Sequence, residues 1–215
     1  MIIIGAKGFA KEVLEVLKQR NELENLFFYD DVNEDIGNTL YGIFPILKSL
    51  EEAKKVFSEI DSSFTIGIGN PVLRHKIYKK FEAIGGQLTT VISPFSHIGS
   101  YGSSIGLGAN IMTNSVLTND ITIGTGVLIN LSCTIGHDVV IEEFVELCPD
   151  VNVSGNCKIG KFTFIGTNST ILPNIQIGSN VVIAAGSVVT KNIPDNCMVA
   201  GIPAIIKKEL PKLEF

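Results

Sequence analysis

Residues 159–189 read IGKFTFIGTNSTILPNIQIGSNVVIAAGSVV. Ile159, Ile165, Ile171, Ile177, Ile183 and Val189 stand six apart. Followed backwards, the same stride passes through Val153, Leu147, Ile141, Ile135, Ile129, Ile123, Leu117 and Ile111 to Ile105. That is 15 consecutive aliphatic hits without a miss. A period of six fits neither a 3.6-residue helix nor an isolated alternating strand. It fits short strands laid on the flat faces of a coil, with one inward aliphatic per face. Three hexads make a coil of about 18 residues in repeats of this type, so the ladder spans about five coils. Ile92 and Ile98 begin the pattern, which slips by one residue before Ile105. Full burial of each ladder residue would contribute roughly 1.5–3 kcal/mol.

Two flanking positions support the coil. Two residues before the ladder, Ser103, Ala109, Ser115, Cys133, Cys157, Thr163, Ser169 and Ser187 are small, with Val or Ile in the other repeats. Directly after it, Gly recurs at 106, 124, 136, 160, 166 and 178. Glycine tolerates positive φ, so a sharp corner is expected there.

Residues 1–85 are expected to form a separate small α/β unit, with the coil and a C-terminal extension occupying 86–215. Met1–Ile4 is an apolar run ending in Gly5-Ala6-Lys7-Gly8. A helix follows, with Val13, Leu14 and Leu17 inward and Lys11, Glu12, Glu15, Lys18 and Gln19 outward. Leu26–Tyr29 ends in Asp30-Asp31, and Phe64–Ile68 ends in Gly69-Asn70-Pro71. Asn70 can cap a helix whose first turn holds Pro71. This order predicts a short Rossmann-like parallel sheet, whose ligands lie beyond the C-terminal strand ends.

The formal net charge is −5 over 215 residues, and no Lys/Arg run exceeds two residues. Nucleic acid and anionic membrane are therefore poor partners. No apolar stretch reaches the roughly 18 residues of a membrane span, and the first residues lack a signal-peptide pattern. A cytoplasmic location is expected. None of Cys133, Cys148, Cys157 and Cys197 pairs at metal-site spacing, and Cys133 and Cys157 read as small packed thiols.

With these features the chain resembles the hexapeptide-repeat sugar acetyltransferases of the bacillosamine N-acetyltransferase and sialic acid O-acetyltransferase group. The match is carried by Ile4–Phe9, Asp30-Asp31, Ile68-Gly69-Asn70 with Arg74, Ile135-Gly136-His137-Asp138, Val153–Asn156 and Gly201-Ile202-Pro203-Ala204. It implies a left-handed parallel β-helix, acetyl-CoA as cosubstrate with no metal, and a homotrimer with active sites between subunits. It further implies an N-terminal unit that holds a nucleotide-linked amino sugar. His137 is the candidate base, since imidazole takes protons near neutral pH, and Asp138 would orient its ring. By resemblance, the acceptor side comprises Lys7, Gly8, Phe9, Asp30, Asp31, Gly69, Asn70 and Asn130. The donor side comprises Gly155, Thr167, Ala185 and Glu146. Many relatives carry His at the last position, near the acetyl carbonyl. An ionised Glu cannot donate there.

His75 reads as solvent-facing and His97 as a surface or packing residue. A zinc hydratase of the same fold needs three coil histidines, and this coil offers only His97 and His137. The leading expectation is N-acetylation of a nucleotide-activated amino sugar. O-acetylation of a sialic acid, or a non-catalytic scaffold that binds a nucleotide sugar, are the alternatives.

Overall fold

The computed structural model describes residues 1–214. The N-terminal part is a six-stranded sheet flanked by helices. Its chain order is β1 (Ile2–Ile4), α1 (Gly8–Gln19), β2 (Phe27–Tyr29), β3 (Thr39–Leu40), β4 (Phe44–Leu47), α2 (Leu50–Glu59), β5 (Ser63–Ile66), α3 (Pro71–Glu82) and β6 (Gln87–Leu88). The strands lie in the order β3-β4-β2-β1-β5-β6, parallel except for β3. The strand order reverses about β1, since β2 pairs on one side and β5 on the other. That is where a doubly wound sheet opens a crevice.

The helices follow from local chemistry. α1 buries Ala10, Val13, Leu14, Val16 and Leu17, the apolar stripe of its sequence. Gln19, expected outward, instead accepts hydrogen bonds from Ser93 and Thr113 of the coil at 3.0 and 3.3 Å. The Asn70 side chain caps α3 by accepting from the Leu73 N–H at 3.0 Å, with Pro71 in the first turn. α2 lies outside the expected elements. It opens on a capping box in which Ser49 and Glu52 satisfy each other's backbone N–H groups.

From Val91 onward the chain winds into three sheets of eight, six and five strands, parallel except for the last strand of the first. The coil strands up to Val189 are two residues long. Each pairs with the strand one coil later, as Thr134 and Ile135 do with Asn152 and Val153. The first face carries Asn110–Ile111, Leu128–Ile129, Glu146–Leu147 and Phe164–Ile165. The second carries Val116–Leu117, Thr134–Ile135 and Asn152–Val153. The third carries Thr122–Ile123, Val140–Ile141 and Lys158–Ile159. The ladder fills the interior, with Ile111 to Val189 fully or almost fully buried in one cluster. Ile92, Ile98 and Ile105, at the open first coil, are only partly buried. The one-residue slip is absorbed in the 99–103 corner, so Ile98 and Ile105 still pair in register with Leu117 and Ile123. An antiparallel hairpin, Cys197–Gly201 with Ala204–Glu209, closes the far end.

The corners correct one expectation. The glycines directly after the ladder are not at positive φ. They are glycines because the next coil passes too close: a Cβ on Gly124 would sit 2.7 Å from the Glu142 carbonyl carbon, and one on Gly160 2.5 Å from that of Gly178. The left-handed position lies two residues further on. Gly108, Gly126 and Gly186 occupy it, as do Asn114, Asp120, Asp138, Asn156 and Asn168, all with φ between 57 and 70°. We expect Gly124→Ala to cost about 3 kcal/mol, because backbone must move. Gly186→Ala, with open space around it, should cost about 1 kcal/mol. Urea unfolding of the two variants measures the difference, and equal losses would contradict it.

The small residues before the ladder have a second use. The hydroxyls of Ser115, Thr163 and Ser169 donate to carbonyls 15 residues on, at 2.7, 2.8 and 3.1 Å. The thiols of Cys133 and Cys157 do the same, both at 3.2 Å. These cysteines are free, and burial pushes the Cys133 thiol up to about 12. Both act as packed, weakly donating serine equivalents.

The α/β unit sits on the first face. Val91, Met112 and Leu128 share a cluster with α1 and β1. Asn110 donates to the Ile66 carbonyl and accepts from Thr65, both at 3.0 Å. Outward residues on the other faces, such as Thr122 and Thr134, are exposed, whereas Asn110, Leu128 and Glu146 are buried. No helix among the described residues is long and apolar enough to cross a membrane.

Candidate active site

His137 and Asp138 form the corner between the second and third faces, directly after the strand Thr134–Ile135. Asp138 takes the left-handed position at φ 57°. That backbone turns its carboxylate onto the neighbouring ring, with His137 Nδ1 to Asp138 Oδ2 at 2.7 Å. A carboxylate accepts, so Nδ1 donates, and in the neutral ring the lone pair falls on Nε2. The two side chains are 70% and 59% exposed. Gly155, one coil further on, lies against the ring: a Cβ there would sit 2.6 Å from Nε2. The His137 carbonyl accepts from the Asn156 N–H at 2.8 Å.

The other residues implied in the coil lie elsewhere on the same protomer. Asn130, Thr167 and Ala185 stand at the corner between the first and second faces, so they and His137 border opposite edges of the second face. Asn130 is almost buried, and its Oδ1 accepts from the next N–H, that of Leu131, at 2.8 Å. Thr167 is exposed, and its carbonyl accepts from the Gly186 N–H at 2.8 Å. An open hollow of about 480 Å³ on the third face, bounded by Lys158, Gln176 and Asp195, includes none of these residues.

Glu146 lies apart from these residues. It is on the first face, away from His137, and buried under the α/β unit. Its Oε2 accepts from the Asn70 N–H at 2.7 Å. Beside it lies Arg74, wholly buried, which donates to the Gly126 carbonyl at 2.9 and 3.2 Å and to that of Ile68 at 3.0 Å. Burial pushes the Glu146 carboxyl up, opposed by the guanidinium and the Asn70 N–H. Burial lowers Arg74 to about 10, opposed by Glu146, so the guanidinium keeps its charge at neutral pH. His75 also differs. It is packed edge-on against Phe144 and Phe162, with ring centroids 5.0 and 5.5 Å away, and is not solvent-facing.

At the C-terminal ends of β1 and β2 a cavity of about 400 Å³ opens against α3. Asp30 and Asp31 line it, whereas Lys7, Gly8, Phe9, Gly69 and Asn70 do not. Lys7 is ion-paired with Asp35 at 2.8 Å, and Gly8 begins α1. Asp30 Oδ1 is taken by the N–H groups of Val32 and Asn33 and by the Asn33 amide. Asp31 Oδ2 accepts from Tyr29 and Lys80 at 2.8 and 3.0 Å. Burial, then the contact with Asp31, raises the Tyr29 phenol. The cavity adds Tyr29, Asn33, Leu73, Lys76, Ile77 and Lys80, which motif reading does not single out. Lys76 and Lys80 are four apart on one face of α3, a spacing visible in the sequence.

Comparison with known proteins fixes the family. Residues 1–81 match the PglD N-terminal domain, and residues 156–191 match the bacterial transferase hexapeptide repeat. WeeI from Acinetobacter baumannii is 32% identical, with a TM-score of 0.87 over 96% of this chain and 98% of that one. The chain belongs to the hexapeptide-repeat sugar acetyltransferases. The acetyltransferase domain of PglB from Neisseria gonorrhoeae is 29% identical, with a TM-score of 0.88 over 96% of this chain and 98% of its own. PerB from Caulobacter crescentus, in complex with CoA and GDP-perosamine, is 26% identical with a TM-score of 0.87 over 96% of both chains. The coil of this acetyltransferase is accordingly a left-handed parallel β-helix preceded by an α/β domain. The protein is an acyltransferase.

Proposed function

We propose that this acetyltransferase moves the acetyl group of acetyl-CoA to the amino group of a nucleotide-linked amino sugar, with His137 as general base. The observation that carries the reading is the His137–Asp138 contact, which occupies Nδ1 and leaves Nε2 over Gly155 as the nitrogen open to a substrate. The amine nitrogen attacks the thioester carbonyl, and Nε2 takes its proton as the tetrahedral adduct forms. The C–S bond then breaks, and the departing thiolate receives that proton from the imidazolium. Products are the acetamido sugar and free CoA. Residues 1–85 hold the nucleotide in the cavity beside Asp30 and Asp31, and residues 86–215 hold the donor near Gly155, Thr167 and Ala185. The relatives support both halves: PerB was solved with CoA and GDP-perosamine, and the PglB domain with acetyl-CoA.

Because Asn130, Thr167 and Ala185 stand a face away from His137, the complete site is formed where one protomer's second face meets its neighbour, in a cytoplasmic homotrimer. A thiol-release screen across UDP-, dTDP- and GDP-linked amino sugars tests the reaction. Release is expected with one nucleotide class of amino sugar and none with sialic acid. Release with sialic acid alone would replace the reading by O-acetylation, and none with any acceptor would leave a binding scaffold.

A further inference from the structure

The Gly69–Asn70 turn links β5 to α3 and lies between Ile68 and Leu73, both of which line the cavity. Its shape is not one that a free chain adopts readily. Asn70 sits at φ 54° and ψ 104°, outside the left-handed helical well that tolerates Asn. Two contacts hold it there. The Asn70 side chain accepts from Leu73 within the turn. The Asn70 N–H is held from outside, by a carboxylate of the coil. The fit at Gly69 is equally close, since a Cβ there would lie 2.7 Å from Glu146 Oε1. We infer that Glu146 is a positioning residue for the nucleotide-sugar site, its carboxylate reaching from the coil to hold the Gly69–Asn70 turn in the shape that site needs.

The contact is reciprocal. Glu146 crosses from the coil to the α/β domain, while Arg74 crosses back to the Gly126 carbonyl. The nucleotide-binding end of the sheet is thereby fixed relative to the coil that carries His137. An acceptor bound at one end and reacting at the other needs that distance held, because a misplacement of about 1 Å costs much of the rate. Oδ1 of Asn70 is occupied by the helix cap, which leaves its amide N–H groups for a ligand. The inference rests on the nucleotide-sugar reading above, and it moves Glu146 from the donor to the acceptor side.

Two variants separate reach from charge. Glu146→Asp keeps a carboxylate near Arg74 but withdraws it by one methylene from the Asn70 N–H. Glu146→Gln keeps an acceptor at full reach and loses the charge. Binding of UDP, dTDP and GDP by calorimetry and KM for both substrates are measured on each, together with the melting temperature. Glu146→Asp is expected to weaken nucleotide binding and raise the sugar-nucleotide KM about tenfold, the loss of one hydrogen bond to a charged acceptor. Its acetyl-CoA KM should stay within about twofold, and Glu146→Gln should bind nucleotide nearly as wild type. An unchanged acceptor KM in Glu146→Asp overturns the inference, as does a rise confined to acetyl-CoA. Losses in both variants that follow melting temperature alone would make Glu146 merely structural. Wild-type protein that binds a nucleoside diphosphate but acetylates no sugar sinks the proposed reaction, and the Kd comparison still decides the role of Glu146. If wild type binds no nucleotide, both readings fall.

Discussion

Replacing His137 by Ala should lower kcat about 10²–10⁴-fold, the usual contribution of a positioned general base, while leaving the melting temperature nearly unchanged. The two halves of this expectation have different origins. The rate falls because no other histidine is near: His97 is on the first coil, and His75, on α3, is packed against Phe144 and Phe162. Stability holds because the His137 side chain is 70% exposed and its bond is to the similarly exposed Asp138. An exposed ion pair contributes little to folding. Gly155→Ala acts on the same ring from the next coil, since its Cβ would crowd Nε2. Activity of His137→Ala within about tenfold of wild type would remove the base assignment, whatever the fold.

The second large effect is on stability. Arg74→Met should cost about 3–5 kcal/mol at neutral pH, because it leaves buried carbonyls without a donor and removes the charge whose field opposes that of Glu146. The substitution keeps the volume of the stem but leaves Glu146 buried without its opposing charge. It also strips donors from the carbonyls of Gly126 and Ile68. The pH dependence has a definite direction. Burial already raises the Glu146 carboxyl above its ordinary value of 4.5, and Arg74 opposes that rise. Without Arg74 the carboxyl rises further. A carboxyl raised on folding favours the folded state fully below its unfolded value. That advantage is lost as pH climbs through the folded value. The deficit of Arg74→Met against wild type is therefore widest at neutral pH and narrows towards 4.5. Urea unfolding at about pH 7 and about pH 5 measures both terms. A deficit that widens on acidification would show that Glu146 is not the group left uncompensated.

The same pair marks where sequence reading stops. Resemblance places Glu146 by its spacing along the coil, and spacing does not record what covers each face. On the second and third faces the residue before the ladder meets solvent, and spacing gives its place correctly. On the first face an entire α/β domain lies over it, so Glu146 finds Asn70 and Arg74 instead. His75 escapes sequence reading for the same reason: the helical spacing is right, but Phe144 and Phe162 come from coil corners some 70 to 90 residues away. The corner glycines make a third case. Glycine after six of the fifteen ladder residues shows that a Cβ is unwelcome there, yet backbone conformation and close approach leave the same mark.

What the chain determined by itself is what recurs locally: the six-residue stride, the inward aliphatics and the corners between them, on one of which the His-Asp step stands. A repeat whose units contact only their neighbours writes its geometry into every period. The mutual placement of two unlike domains repeats nowhere. It depends on single contacts between residues far apart in the chain: Thr65 with Asn110, Arg74 with Gly126, and Glu146 with Asn70. No spacing rule encodes such pairs, and only the folded molecule shows which residues meet across the two domains.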